Sequence, residues 1–202
     1  MKLYDVRDTC TGVDRALAVE DNPRHRHILL NFRRHGLLEV SGLWEQILIP
    51  EMTVEEPRYR LMEGGRTHHF DGMAAVAGFY RDMTERGDNV FGALEEEVAV
   101  SDWGLFTEGV FAKVLPGSAD ELREDGADPD RYYQVSVITA FAWPYTGGRL
   151  LGEHVYEDHN SRTVVEVPAD TFVTPAQARE RLAPFLAQTP LETLVAGLAL
   201  FR

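Results

Sequence analysis

The stretch Gly148–Asn160, GRLLGEHVYEDHN, predicts a β-strand in which neither face is purely apolar. Strand alternation gives it two sets of side chains, which are Leu150, Gly152, His154, Tyr156 and Asp158 on one face and Leu151, Glu153, Val155, Glu157 and His159 on the other. A half-buried strand normally has one apolar face. The face of His154 is therefore either exposed to solvent or part of the lining of a polar pocket.

Further strands are predicted on both sides of this stretch. Apolar runs between turn residues favour strands over residues 52–61, 90–115, 132–145 and 164–167, of which the second divides into two. Pro57 marks its strand as an edge strand or as the position of a bulge. The acidic, turn-rich residues 116–131 predict a surface loop.

Helical periodicity predicts four helices, over residues 13–21, 27–49, 71–85 and 174–188. Gly36 and Gly42 are the two positions at which the second helix could break. Asp71 is the expected N-cap of the third helix. Thr174 and Gln177 form a capping box at the start of the fourth.

This order of elements predicts an α+β fold, in which N-terminal and middle helices pack on one face of a curved antiparallel sheet. The hollow between the helices and the sheet is a natural site for a small apolar ligand. We expect an N-terminal helical segment over residues 1–24, a central domain over 25–160 and a C-terminal extension with a helix over 161–202. The extension would cover either the hollow or a partner subunit.

Composition excludes several classes of function. A formal net charge of −13 over 202 residues argues against nucleic acid and anionic membranes as partners. The single cysteine, Cys10, excludes an internal disulfide framework and cysteine-rich zinc sites. The sequence has no apolar signal region, no long apolar run, no phosphate-binding glycine loop and no nucleophile elbow. We therefore expect a cytoplasmic protein that uses no cofactor.

Three segments, in this order along the chain, resemble segments of the NTF2-like superfamily. MTVEEPRY (52–59) resembles the first strand of ketosteroid isomerase, and GMAAVAGFYRDM (72–83) resembles the helix that follows it. GGRLLGEHVYED (147–158) resembles the final strands of the SnoaL-like polyketide cyclases. The resemblance covers residues 25–160 and implies a cone-shaped NTF2-like domain. It also implies a homodimer formed through the open sheet faces.

The resemblance to ketosteroid isomerase carries only part of the catalytic set. The general base of that enzyme falls on Glu56, so a carboxylate is retained. The place of its oxyanion-binding tyrosine is held by Phe32, which has no hydrogen-bond donor. Its second oxyanion-binding group, an acid, would fall near Ile138 or Thr139, where there is no acid. Steroid isomerisation by that mechanism is therefore not expected.

The resemblance to the SnoaL-like branch places an imidazole at His154. The catalytic aspartate of that branch falls on Tyr156, and Asp158 follows two residues later, which departs from the aldol-cyclase pattern. We predict that Glu56 and His154 exchange a proton and that Tyr156 polarises an oxygen, while Asp158 either orients the imidazole or only ends the strand. The expected activity is a dehydration, isomerisation or cyclisation, by a lyase or isomerase, of a small apolar carbonyl or polyketide-like substrate.

Six residues are predicted to line the substrate pocket, namely Phe32, Tyr59, His69, Tyr80, Trp103 and Phe141. Several alternatives remain open at this point. Glu56 could instead form a salt bridge with Arg58 or Arg60, and the chain could be a module that binds a ligand or assembles a complex without catalysis. Epoxide hydrolysis has no support, because the sequence lacks a clear Asp-Arg-Asp set.

The segment THHFDG (67–72) has the residue types of a metal site but not the spacing. The adjacent residues His68 and His69 point to opposite sides of an extended chain, so they do not bind one ion together. We therefore predict that Asp71 caps a helix, that one histidine lies at the rim of the pocket and that no metal binds.

Overall fold

The computed structural model describes residues 2–202, which form one six-stranded sheet with helices against it. The strands are β1 (Thr53–Glu63), β2 (Arg66–Asp71), β3 (Gly92–Ser101), β4 (Gly104–Pro116), β5 (Tyr132–Thr146) and β6 (Arg149–Val167). Their order across the sheet is β2-β1-β6-β5-β4-β3. The α+β prediction is confirmed. The sheet is mixed rather than purely antiparallel, because the last strand returns parallel to the first.

The strand predictions differ from the structure in two places. β2 was not predicted as a strand; its residues are mostly exposed and lack an apolar alternation. The two strands predicted over 149–158 and 164–167 are one continuous strand of 19 residues. The bulge predicted at Pro57 is confirmed, since the pairing of β1 with β6 shifts register between Thr53 and Arg58.

The helices are α1 (Thr11–Val19), α2 (Pro23–Val40), α3 (Met73–Arg86), α4 (Pro175–Leu186) and α5 (Leu191–Gly197). Asn22 caps α2 by accepting a hydrogen bond from the backbone of Arg24, and Pro23 occupies the first turn. The predicted break after α2 occurs at Gly42, which has a φ of 63° that favours glycine, whereas Gly36 lies within the helix.

The two predicted caps have different outcomes. The capping box of Thr174 and Gln177 is confirmed at the start of α4. The prediction that Asp71 caps α3 is wrong, because Asp71 is the last residue of β2 and accepts a hydrogen bond from Arg60 at 2.6 Å. Gly72 takes the N-cap position with a φ of 83° and makes no side-chain capping bond.

The core lies between the concave face of the sheet and helices α2 and α3. Its fully buried side chains come from all of these elements and include Ile28, Leu29, Leu37, Leu38, Tyr59, Leu61, Val76, Tyr80, Leu105 and Leu150. Full burial of one such aliphatic side chain contributes about 1.5–3 kcal/mol. The core therefore fixes α2 and α3 over the sheet and positions the hollow between them.

The C-terminal extension packs on α2. Arg33 donates hydrogen bonds to the carbonyl of Phe185 and to Oγ1 of Thr189, and Arg34 donates to the carbonyl of Thr189. No described residue after Arg162 lines the hollow, so the extension covers the outer helices instead. No single helix in residues 2–202 has the length and apolarity to span a membrane, although α4 and the segment Leu191–Phe201 meet that criterion as a pair bent by 51°.

Candidate functional site

The hollow predicted between helices and sheet is present, with a volume of 890 Å³. It lies over the concave face of the sheet, beside α3 and the end of α2, and beneath the segment Asp120–Asp125. Its apolar lining comes from Phe79, Met83, Phe91, Phe111, Val135, Val137, Phe141 and Val155. These walls suit the apolar body of a small molecule.

Strand β6, which contains His154, turns toward the hollow the face opposite to that of His154. Glu153, Val155 and Glu157 line it, whereas His154, Tyr156 and Asp158 do not. Tyr156 has 45% of its surface exposed and Asp158 is also exposed. The prediction that the face of His154 lines the pocket is therefore wrong, and these three side chains have no access to the hollow.

A bulge in β6 explains this reversal. Ala142 pairs with His154 and Tyr145 pairs with Leu150, so two residues of β5 stand opposite the three residues 151–153 of β6. The extra residue shifts the alternation by one position. Leu150 and Glu153 consequently both point inward, which strict alternation from Leu150 does not allow.

Glu56 is exposed and does not line the hollow, which contradicts the position predicted for it. The inward residues of β1 near the Pro57 bulge are Pro57 and Tyr59. Among the described residues, Glu56 has no ion pair with Arg58 or Arg60, so the predicted salt bridge is not formed either. Glu56 lies instead near Gly72, at the start of α3.

Of the six residues predicted to line the pocket, the structure brings only Phe141 to the hollow. Tyr59 and Tyr80 are fully buried in the core, and Phe32 packs edge-on against Trp143 with ring centroids 5.1 Å apart. His69 and Trp103 are exposed on the surface. His68, the neighbour of His69, lines the hollow, so these two histidines diverge as extended backbone requires.

Three carboxyl groups, from Glu39, Glu63 and Glu153, form what we call the carboxyl cluster. Glu39 is in the last turn of α2, Glu63 ends β1 and Glu153 lies on β6, and all three line the hollow. Burial raises the pKa of Glu39 to about 8, with a further contribution from the charge of Glu63. Burial and the charges of Glu39 and Glu63 raise the pKa of Glu153 well above its usual range.

Glu63 and Lys113 lie farther toward the mouth of the hollow. Burial and the charge of Glu157 raise the pKa of Glu63, while the charge of Lys113 lowers it. Lys113 itself forms an ion pair with Glu121 at 2.5 Å. The cluster is therefore most protonated at Glu39 and Glu153, where no lysine or arginine in residues 2–202 lies within ion-pair distance.

A chain of hydrogen bonds runs behind the carboxyl cluster. The hydroxyls of Tyr59 and Tyr80 are 2.8 Å apart, and the Tyr80 hydroxyl is 2.9 Å from Nε2 of His35. Burial lowers the pKa of His35 to about 3, so its imidazole is neutral. The same Nε2 lies 3.7 Å from Oε2 of Glu39. The chain thus joins β1, α3 and α2 next to the cluster.

Four buried polar atoms around this region have no hydrogen-bond partner in the protein. They are Oε2 of Glu153, Nδ1 of His35, Nε1 of Trp143 and the hydroxyl of Tyr145. The charge of Glu153 also raises the pKa of Tyr145, which places these two groups in the same electrostatic environment. An unpaired buried polar group costs about 1–3 kcal/mol. Of these four residues only Glu153 lines the hollow, so its Oε2 is the unpaired atom that a molecule bound there can satisfy.

Glu39 was not predicted as a site residue, and Glu153 was placed on the strand face that was not expected to line the pocket. A signal for Glu39 was present, because it stands between Leu38 and Val40, four residues after His35, within an apolar turn of helix. No signal identified Glu153, since the bulge that turns it inward is a property of strand pairing. No group of three or more His, Cys, Asp or Glu residues in positions 2–202 could hold a metal ion.

Comparison with solved structures identifies the fold. A protein of Jannaschia sp. CCS1 that is named as a SnoaL-like polyketide cyclase is 12% identical, with a TM-score of 0.51 over 69% of this chain and 90% of that chain. This chain has the NTF2-like fold. The resemblance predicted from the three sequence segments is thereby confirmed at the level of the fold.

Two other solved structures are similar at lower TM-scores. An NTF2-like protein from Anabaena variabilis ATCC 29413 is 12% identical, with a TM-score of 0.49 over 71% of this chain and 96% of that chain. Bal32a, from a soil-derived mobile gene cassette, is 14% identical, with a TM-score of 0.46 over 67% and 92%. No protein-family model and no curated protein sequence matches this chain.

Proposed function

We propose that this NTF2-like chain is a cofactor-independent acid–base enzyme, of the lyase, isomerase or cyclase kind. Its substrate would be a small, largely apolar carbonyl compound or a polyketide-like compound bound in the hollow. The observation that carries the proposal is the pair of buried carboxyls, Glu39 and Glu153, in a cavity with apolar walls. This pair takes the role that the sequence had assigned to Glu56 and His154.

The two carboxyls can divide the work of proton transfer. The charge of Glu39 raises the pKa of Glu153, so the two carboxyls ionise one after the other, Glu39 first. The ionised group, assigned to Glu39, removes a proton from the carbon next to the substrate carbonyl. The protonated group, Glu153, donates to the carbonyl oxygen as it gains charge. For an isomerisation, Glu39 returns the proton to another carbon and Glu153 recovers its own from the enol; for a dehydration, the proton on Glu39 leaves with the hydroxyl as water while Glu153 recovers its own.

The raised pKa values fit this division. A general base is most effective when its pKa is near the working pH, and burial raises the pKa of Glu39 to about 8. Burial and the charges of Glu39 and Glu63 raise the pKa of Glu153 well above its usual range, which suits it to donate a proton. The apolar walls also keep water away from the reacting carbon and strengthen each electrostatic contact. The hydrogen-bonded chain of Tyr59, Tyr80 and His35 would hold the neighbouring backbone elements in place.

Proton exchange in heavy water tests the proposal without knowledge of the substrate. A panel of small cyclic and aryl ketones is incubated with the protein, and loss of the hydrogens next to the carbonyl is followed by NMR. We expect at least one ketone to exchange faster than in buffer and Glu153→Gln to slow it about 100-fold or more, the typical contribution of a general acid or base. Glu180→Gln, which changes an exposed carboxylate of α4 away from the hollow, is the matched control.

Exchange no faster than in buffer across the panel, or an unchanged rate in Glu153→Gln, would rule the proposal out. It would favour the second candidate, a module that binds a small ligand without catalysis. Four phenylalanines among the lining residues support that alternative, since they supply binding surface without chemistry. Binding of the same ketones, measured by calorimetry without exchange, would establish it.

We also propose that two copies of the chain associate through the outer face of the sheet, the face opposite the hollow. Exposed apolar residues from four adjacent strands and one turn occupy it, namely Met62, Trp103, Phe106, Ile138 and Tyr156. Arg58 and Arg60 lie toward β1, and Glu97 and Glu108 lie toward β3 and β4. A two-fold axis along the strands would bring the arginines of one copy opposite the glutamates of the other.

A further inference from the structure

The charged groups at the rim of the hollow are paired with groups of opposite charge, whereas the carboxyl groups in its interior are not. The basic residues at the rim already have acidic partners, which are Asp88 for Arg86, Glu121 for Lys113, Asp120 for Arg123 and Asp125 for Arg162. Inside, the carboxyl cluster has no lysine or arginine within ion-pair distance in residues 2–202. The interior therefore has acidic groups for which the protein provides no cation.

Glu153 gives an independent indication that a ligand completes this region. Its side chain is 6% exposed and lines the hollow, and its Oε2 has no hydrogen-bond donor from the protein. Its register partner on β1 is Tyr59, whose hydroxyl is hydrogen-bonded to that of Tyr80. A buried carboxyl oxygen in this position needs a donor from a bound molecule.

The walls around the carboxyls are aromatic. Phe79, Phe111 and Phe141 line the same hollow, and the rings of Phe111 and Phe141 are 4.8 Å apart. The face of an aromatic ring attracts a cation, and the attraction is stronger when the cation is removed from water. Carboxyls combined with aromatic walls match an organic ammonium ion better than they match an anion or a plain hydrocarbon.

We propose that the compound bound in the hollow carries a basic nitrogen on an apolar frame, and that its ammonium group donates hydrogen bonds to Glu153 and Glu39. The inference rests on the proposed function and narrows it, because it makes the substrate an amino-carbonyl compound rather than a simple ketone. Both carboxyls have raised pKa values, and the ammonium favours their ionised form, so its binding releases a proton to solvent.

Three probes that share one apolar body test this directly by calorimetry at neutral pH. They are phenylbutylamine, phenylbutanol and phenylbutyrate, which differ only in the charge of the end group. We expect the amine to bind about tenfold or more tightly than the alcohol, as charge-assisted hydrogen bonds imply, and the carboxylate to bind most weakly. Repeating the amine titration in buffers with different ionisation enthalpies should reveal the released proton.

Substitutions of single carboxyls identify which groups cause the preference for the amine. Glu153→Gln keeps the shape of the side chain, and it should remove most of the preference for the amine while changing the affinity for the alcohol by less than about twofold. Glu39→Gln gives a second, independent reading if Glu153→Gln folds poorly, which circular dichroism would detect. Glu180→Gln, at an exposed position of α4 away from the hollow, should bind all three probes as the wild type does.

Two results would overturn the inference: an alcohol that binds as tightly as the amine, or an amine preference that survives in both variants. These results are distinct from failure of the proposed function. Exchange of ketone hydrogens without amine preference would retain the enzyme and exclude the amino-carbonyl substrate. Amine preference without exchange on any ketone, including amino ketones, would retain the cation site and exclude the enzyme.

Discussion

Tyr59 and Glu153 are direct register partners across the parallel pair of β1 and β6, and both side chains are buried on the concave side of the sheet. Burial, followed by the charge of Glu153, raises the pKa of the Tyr59 phenol. The pairing of the first strand with the last thus sets a tyrosine from one end of the domain beside a carboxyl from the other. The polar part of the hollow depends on this pairing.

The first prediction concerns Glu39 and pH. Its pKa in the folded protein is about 8, above the ordinary value of 4.5. When the pKa of a carboxyl is higher in the folded protein than in the unfolded protein, its contribution to stability is complete below the unfolded-state pKa. That contribution is lost as the pH rises through the folded-state pKa. The free energy of unfolding of the wild type should therefore fall between about pH 4.5 and about pH 8. Glu39→Gln should reduce that fall by up to a few kcal/mol.

Urea unfolding of both proteins across this pH range measures the difference. Glu180→Gln serves as the comparison, because this exposed carboxylate of α4 lies outside the carboxyl cluster and its substitution should leave the slope of the wild type unchanged. A Glu39→Gln curve parallel to that of the wild type would mean that the Glu39 carboxyl has an ordinary pKa in the folded protein.

The second prediction concerns the hydrogen-bonded chain behind the cluster. Tyr59→Phe retains the buried ring but removes the hydroxyl that lies 2.8 Å from that of Tyr80. We expect a loss of about 1–2 kcal/mol in the free energy of unfolding, as for other buried hydrogen bonds. Tyr156→Phe is the matched control, since Tyr156 is 45% exposed and should change stability by less than about 0.5 kcal/mol. Equal effects in the two variants would show that the chain does not stabilise the fold.

The third prediction concerns the contact of β6 with β1. A Cβ on Gly152 would lie 2.0 Å from the carbonyl oxygen of Arg58, far inside any allowed contact. Gly152→Ala should therefore separate the two strands and lower the free energy of unfolding by roughly 3 kcal/mol or more. Gly36→Ala is the control. Its added Cβ would lie 3.9 Å from the nearest neighbouring atom, so this substitution within α2 should stabilise the helix slightly. A tolerated Gly152→Ala would mean that the strands do not approach this closely.

The bulge next to Gly152 also explains why the fold was predictable and the site was not. Helical periodicity, turn residues and the apolar runs identify most elements, because each depends on local sequence. The direction of His154 or Glu153 depends on how many residues of β6 stand opposite Trp143 and Pro144. That count is set by pairing with a distant strand, and the two faces of the stretch are too similar in polarity to decide it.

Glu56 was misplaced for a related reason. The bulge at Pro57 was expected, but its consequence for the neighbouring side chains was not, and it leaves Pro57 and Tyr59 as the inward residues. Glu39 was missed because a charged residue in an amphipathic helix is normally solvated. Its burial depends on α2 ending over the hollow, which only the packing of the helices on the sheet determines.

The last prediction concerns association of two copies through the outer face of the sheet. Phe106 is 52% exposed there and stacks on Trp103 with ring centroids 5.1 Å apart. If this face is the contact between copies, Phe106→Glu places one buried charge from each copy in the interface, and the dimer should dissociate. Light scattering and sedimentation equilibrium would then report a monomer with unchanged circular dichroism. Val19→Glu, at an 81% exposed position of α1, should remain dimeric. A monomeric wild type, or a dimeric Phe106→Glu, would contradict the proposed interface.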